Sequence, residues 1–225
     1  MVRRVFTVLM LFFAVCADAC AQGYFCDRAD AVLEYVRTTV ADGKIKWRHT
    51  VRILDVKETA DAVTYTSESV FRKPNGKMLY GDAMIEETTV DKRTDDVSLD
   101  VGATMVSYIK ARTGLNAKAD RQLSVLPADM APGDTLMPVS AQVEVGPLTY
   151  TVQVSKRKVL RSETISVPAG TFDCVVVWEK KLEDGIGHHR DVTNLTWYSK
   201  GVGMVRHDTY IKGKLDTSEV LEKVK

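Results

Sequence analysis

Ile45-Lys46-Trp47-Arg48-His49-Thr50-Val51-Arg52-Ile53 decides the fold class of this chain. Ile45, Trp47, His49, Val51 and Ile53 share one face, while Lys46, Arg48 and Arg52 point the other way. A period of two is strand geometry, and this alternation describes a sheet with one covered face and one wet face. Upstream, Ala31–Val40 is a second strand candidate, and Asp42-Gly43 is the hairpin turn that would join the two.

The same grammar runs outward in both directions. Ala62–Lys73 leads into Pro74-Asn75-Gly76, then Lys77–Tyr80 and a charged strand around Met84–Val90. Later candidates are Arg121–Leu126, Val139–Val145, Leu148–Leu160, Arg161–Val167, Thr171–Leu182, Arg190–Tyr198 and Met204–Ile211. Glycine- or proline-bearing turns separate most of them. Cys174–Trp178 is apolar on both faces and predicts a central strand. Leu215–Val224 is charged and reads as an edge strand, where lysine and glutamate protect against edge-to-edge pairing. Ala103–Arg112, bracketed by Gly102 and Gly114, places Met105, Val106 and Ile109 on one helical face. The predicted fold is all-β: an antiparallel meander forming a curved sheet or open barrel, with one short helix. Asp42-Gly43-Lys44-Ile45, Asn75-Gly76-Lys77-Met78 and Lys212-Gly213-Lys214-Leu215 repeat an x-Gly-Lys-apolar pattern, read as hairpin chemistry.

The N-terminus carries an address. Arg3 and Arg4 precede the apolar run Val5–Val15, and Ala17-Asp18-Ala19-Cys20-Ala21 supplies small residues for cleavage. That pattern predicts a signal peptide over residues 1–21, with a core too short to span a bilayer, and a β-rich domain over 22–225. Cleavage before Gln22 would release a soluble protein. Lipidation of Cys20 would instead anchor it, the only membrane attachment expected. Loss of Arg3, Arg4 and Asp18 takes the formal charge of +1 to neutrality, which argues against nucleic acid as a partner. The location expected is the periplasm or the outer membrane.

Little in the chain announces chemistry. Cys26 and Cys174 would survive cleavage, and an even pair in an oxidising compartment suggests a disulfide. His188 and His189 are adjacent, so in a strand they face opposite ways, while His49 and His207 read as structural. No metal motif, nucleophile elbow or phosphate loop is present, so neither a cofactor nor a metal is expected. Paired carboxylates of a hydrolase are defined in space rather than in sequence and stay open. The aromatics Trp47, Tyr65, Phe71, Trp178 and Trp197 come from separate strands, and a curved sheet could gather them on one concave face as a ligand site.

From Arg157-Lys158-Val159 through Pro168-Ala169-Gly170-Thr171-Phe172-Asp173-Cys174 the chain becomes distinctive. Trp197-Tyr198-Ser199-Lys200-Gly201-Val202-Gly203-Met204-Val205 and Tyr210-Ile211-Lys212-Gly213-Lys214-Leu215 continue the signature. It resembles the TapB-like group of exported proteins of Gram-negative bacteria, a domain of unknown function, and more distantly the open barrels of LolA and LolB. The resemblance implies an all-β envelope protein and transfers no catalytic residue. The leading expectation is a non-enzymatic envelope protein binding a lipid, another apolar small molecule or a lipoprotein-like partner on its curved sheet. The alternatives are a structural or assembly component of the envelope and an unrecognised hydrolase.

Overall fold

The computed structural model describes residues 23–185 and 187–225. The expected leader, its cleavage sites and Cys20 lie outside them. Thirteen strands and one helix follow in chain order: β1 (Val32–Thr39), β2 (Ile45–Glu58), β3 (Ala62–Arg72), β4 (Met84–Asp91), β5 (Val97–Asp100), α1 (Val101–Thr113), β6 (Lys118–Ala119), β7 (Leu123–Leu126), β8 (Val139–Val145), β9 (Leu148–Val167), β10 (Gly170–Gly185), β11 (His188–Ser199), β12 (Gly203–Ile211) and β13 (Lys214–Val224). They form a single antiparallel sheet in the order β6-β8-β9-β10-β11-β12-β13-β1-β2-β3-β4-β5-β7. Its ends, β6 and β7, do not pair with each other, so the sheet curls without closing into a barrel. The all-β class with one short helix is the one the sequence predicts.

Most neighbours in the sheet are sequential hairpins, and the x-Gly-Lys repeats all fall at turns, with Gly43, Gly76 and Gly213 at φ 66, 81 and 76. Three pairings are not sequential: β6 with β8 and β5 with β7 at the two ends of the sheet, and one in its middle. β1 pairs with β13, and Val32 and Lys225 exchange backbone hydrogen bonds at 3.0 Å. The last strand is therefore interior, between β12 and β1, which corrects its reading as an edge. Its charges do not all face solvent: Thr217, Glu219 and Leu221 alternate inward and are buried.

Residues 148–167 form one strand rather than the two expected, and Lys77–Tyr80 contributes a single bridge, Arg72 to Met78. Cys174, Val175, Val176 and Val177 are buried on both faces of β10, as their apolar run predicts. Cys26 and Cys174 are both free thiols, contrary to the expected disulfide. Cys26 packs with Ala31, Leu33, Tyr35 and Leu221, whereas Cys174 packs with Val176, Trp197 and Val205. Each sulfur occupies an apolar cluster as a small hydrophobe.

Helix α1 extends one turn beyond the expected segment in total. Asp100 caps it by accepting from Ala103 N–H, and Gly114 ends it at φ 73 with its N–H bonded to Lys110. Met105 packs on Val143 and Val152, which sets the helix against β8 and β9. On its other side Ser107 Oγ accepts from Ile85 N–H at 2.6 Å, tying it to β4. The helix thus spans the gap between the two ends of the curled sheet. At the opposite end of the half-barrel, Tyr24, Met130 and Leu136 cover Val159, Val175 and Val177.

Candidate functional site

Directly opposed residues of an antiparallel ladder share a face. Trp47 opposes Arg37, Arg37 opposes Glu219, Glu219 opposes His207, His207 opposes Thr196, Thr196 opposes Val177, and Val177 opposes Val159. This row lies on the face that α1 covers, because Val152 and Val154 beneath the helix oppose Glu183 and Lys181 on the same side. It is the concave face. Trp197 opposes Val176 and Arg206, and Trp178 opposes Leu195, all on the convex side.

The five aromatics predicted as a ligand site are therefore divided. Trp47, Tyr65 and Phe71 face inward, with Tyr65 packed on Phe25 at 5.0 Å between ring centres. Trp178 and Trp197 face outward, so one shared concave face is ruled out by register. Trp197 is buried from outside by its own neighbours: the Arg206 guanidinium lies 4.8 Å from its ring centre, and its Nε1–H donates to Glu163 at 2.6 Å. The histidine pair does split as expected, with His188 against Glu183 and His189 against Asp184.

What the concave face carries is polar. Glu219 accepts from the Trp47 indole at 2.9 Å, lies 3.0 Å from His49 Nδ1 and pairs with Arg37 at 3.4 Å. Arg37 also donates to Thr209 at 2.6 Å and Thr217 at 2.7 Å. His49 is stacked between Tyr35 and Phe71, with ring centres 4.7 and 4.6 Å away. Burial alone would raise the Glu219 carboxyl, but the hydrogen bond and charge of His49 and the charge of Arg37 hold it down at about 2. Burial and then Arg37 push His207 down to about 4, keeping it neutral beside Thr196 at 2.8 Å. Burial also raises the Glu86 carboxyl, which accepts from Ser69 at 3.2 Å.

A backbone irregularity aims one more charge inward. Three residues of β9, Lys156 to Lys158, oppose two of β10, and Lys156 stands at φ 51. Such a bulge re-aims side chains, and a non-glycine residue at positive φ is uncommon. Arg157 is turned into the concave face and is 2% exposed. Its Nη1 donates to the Met137 carbonyl at 3.0 Å, and its Nε stands 3.6 Å from Glu179. Asn194, 3% exposed, donates to the same Glu179 at 3.3 Å. Arg157 Nε and Asn194 Oδ1 have no hydrogen-bond partner among the described residues.

Sequence reasoning missed Arg37, Glu86, Arg157, Glu179, Asn194 and Glu219. The signal for two of them was phase. Arg37 continues the inward parity of Leu33 and Tyr35, and Glu219 that of Thr217 and Leu221. A charge in phase with a buried row marks an interior polar network rather than a solvated face.

A second concavity lies on the other side of α1. A groove of about 1070 Å³ runs along the outward side of the helix, over Ala103, Val106, Ser107 and Lys110. Asp82, Ala83 and Ile85 form one wall, and Ala117–Asp120 with Gln142 and Glu144 the other. Both walls present strand edges. β5 pairs with β4 only from Thr88 to Val90, and β6 pairs with β8 only at Val143 and Glu144. Glu87 on one side and Val139–Gln142 on the other have no strand paired on the groove side among the described residues, while the Ile85 N–H there is taken by Ser107 Oγ. No group of three or more His, Cys, Asp or Glu side chains among the described residues is arranged to hold a metal.

Comparison with known proteins follows the sheet. The model of the DUF3108-like family matches residues 33–221, from β1 to β13. The chain belongs to the DUF3108-like family. Two solved structures share the architecture of this family member. One is a protein of Bacteroides fragilis provisionally described as exported, with a YmcC-like fold: TM-score 0.74, 20% identity, covering 91% of this chain and 99% of that one. The other is a protein of Parabacteroides distasonis provisionally described as a lipoprotein: TM-score 0.74, 19% identity, with 91% and 99% covered. No curated protein matches the chain. The matches carry the names DUF3108-like and YmcC-like, and neither is the TapB-like or LolA/LolB name of the sequence resemblance.

Proposed function

We propose that this DUF3108-like protein is a non-enzymatic, exported component of the cell envelope that holds an extended segment of a partner polypeptide in the groove along α1. The leader pattern of residues 1–21 and the descriptions of the two structural relatives support the envelope location. The observation that carries the binding role is the groove itself: about 1070 Å³, floored by a helix and walled by unpaired edges of β4 and β8. The open stretch of β8, Val139–Gln142, supplies backbone donors and acceptors in register with an incoming strand, whereas on β4 the Ile85 N–H is already bonded to Ser107. Ile85 and Val106 offer apolar contacts for alternate side chains, while Asp82, Lys110, Lys118, Asp120 and Glu144 give the rim both signs of charge.

An acyl chain fits this groove poorly, because an apolar tail would desolvate charged walls without pairing them. A polypeptide partner, including a lipoprotein, meets both the edges and the charges. The test is a photo-reactive amino acid placed at Ile85, Lys110 or Glu144 in the native cells. A discrete protein adduct from these three positions, and none from Arg48 on the convex face, is the expected outcome. Adducts that form equally well from Arg48, or groove adducts that contain only lipid, would overturn the reading.

A further inference from the structure

The concave face is separate from that groove, on the opposite side of α1. We infer that it is a binding site for a hydroxyl-rich ligand bearing a carboxylate, of the uronic-acid sugar class.

Access comes first. Trp47, Phe71, Glu86, His207 and Tyr198 all face inward by register, yet each is only half-buried. The Tyr198 phenol is nonetheless raised to about 12 by burial and by Glu179, and His207 is lowered to about 4 by burial. Side chains that face inward by register and are still reached by solvent leave this face open to a ligand. An acyl chain is the wrong occupant, because it would cover half-buried Glu86, His207 and Arg190 without offering them a hydrogen bond.

The unmet hydrogen-bonding capacity is the second observation. Arg157 Nε is a donor and Asn194 Oδ1 an acceptor, both on nearly inaccessible side chains that touch the same Glu179. Buried polar groups are almost always partnered, and an unmet one is costly. A hydroxyl both donates and accepts, so it is the functional group that answers a neighbouring donor and acceptor together. Aromatic rings complete the surface. Trp47, Phe71, Tyr80 and Tyr108 form a contacting series, from Trp47–Phe71 at 6.4 Å through Phe71–Tyr80 at 5.3 Å to Tyr80–Tyr108 at 5.7 Å. One face of Phe71 is taken by His49, and Arg37 and Arg112 lie over the Trp47 and Tyr108 rings, so the series offers its remaining ring surface to the apolar side of a sugar.

Charge decides the acid. Lys181 and Arg190 follow Glu179 and Asn194 along β10 and β11 on the concave side, since Glu183 opposes Arg190 and Val154 opposes Lys181. Lys181 and His188 share Glu183, at 2.8 and 3.1 Å. Half-buried Arg190 makes no hydrogen bond and no ion pair within 4 Å among the described residues, and its charge acts on Glu183, which it directly opposes. A guanidinium held there is a ready partner for a carboxylate, and its planar fork favours bidentate pairing.

The experiment is nuclear magnetic resonance titration of the purified protein with a galacturonic acid trimer, compared with maltotriose and with a fatty acid. The trimer is expected to shift the Trp47 indole and Asn194 carboxamide signals saturably and to leave the Trp178 indole in place. Arg190→Gln, at the half-buried end of the site, is expected to weaken the trimer at least tenfold, while Arg48→Gln on the convex face leaves it unchanged. Maltotriose binding as tightly as the trimer overturns the assignment to Arg190. A fatty acid moving the same signals where the trimer does not overturns the site as a sugar site. The read-out is independent of cross-linking in the α1 groove, so either reading can fail alone.

Discussion

Glu219 is the residue on which the interior depends. It is 6% exposed, receives the Trp47 indole, contacts His49 and neutralises Arg37, itself 8% exposed. Its carboxyl moves from 4.5 to about 2 on folding, so the unfolded chain binds the proton more readily. The stability from this shift is therefore present above about pH 4.5 and is lost as the pH falls toward 2, amounting to about 3 kcal/mol. His207, lowered from 6.5 to about 4, has the same sign in a higher window: its contribution is lost as pH falls from about 6.5 through 4. Urea titrations between pH 7 and pH 3 are expected to show both declines. Glu219→Gln is expected to cost about 3–5 kcal/mol at pH 7, because Arg37 then remains buried without its anion. A variant as stable as the parent at pH 7, or a parent whose stability is flat from pH 6.5 to pH 3, contradicts this account.

At the scale of elements, α1 is held by what its glycine allows. Alanine is a better helix former than glycine by about 1 kcal/mol, so propensity alone predicts that Gly102→Ala stabilises. The structure predicts the reverse. A Cβ at residue 102 would stand 2.2 Å from the Asp120 backbone oxygen and 3.3 Å from the Ala119 Cβ, and backbone cannot yield as a side-chain tip can. Gly102→Ala is expected to lower the melting temperature by several degrees and to loosen both walls that α1 joins. A raised melting temperature would mean that the strand after α1 does not press on the helix in this way. The helix was legible from Met105, Val106 and Ile109 between two glycines, because its period is local. The bulge at Lys156 was not, since nothing in Ser155-Lys156-Arg157-Lys158 distinguishes it from a regular strand. Only pairing with β10 requires the extra residue, and it is that residue which turns Arg157 inward.

At the scale of the molecule, β1 and β13 join the two ends of the chain in the middle of the sheet. Removing residues 214–225 would leave β1 and β12 with open inner edges, and Arg37 without Glu219 and Thr217. Truncation before Lys214 is expected to abolish the cooperative unfolding transition, where loss of a true edge strand would only lower its midpoint. A truncated chain with the parent's circular dichroism and a sharp melt would contradict the central place of β13. The sequence by itself determined the all-β class, most hairpins, the helix and the inward parity of residues 47–53, because period and turn chemistry are properties of neighbours; Ile45, expected on the same face, is set opposite Thr38 by a bulge. It did not determine the partner of the last strand, the side on which Trp178 and Trp197 lie relative to Trp47, or the free state of Cys26 and Cys174. Those depend on register between distant strands, where a shift of one residue exchanges the two faces of a strand. The polar concave face was decided only there, when Arg37, His49, His207 and Glu219, each unremarkable in its own strand, were brought into one row by the curl of the sheet.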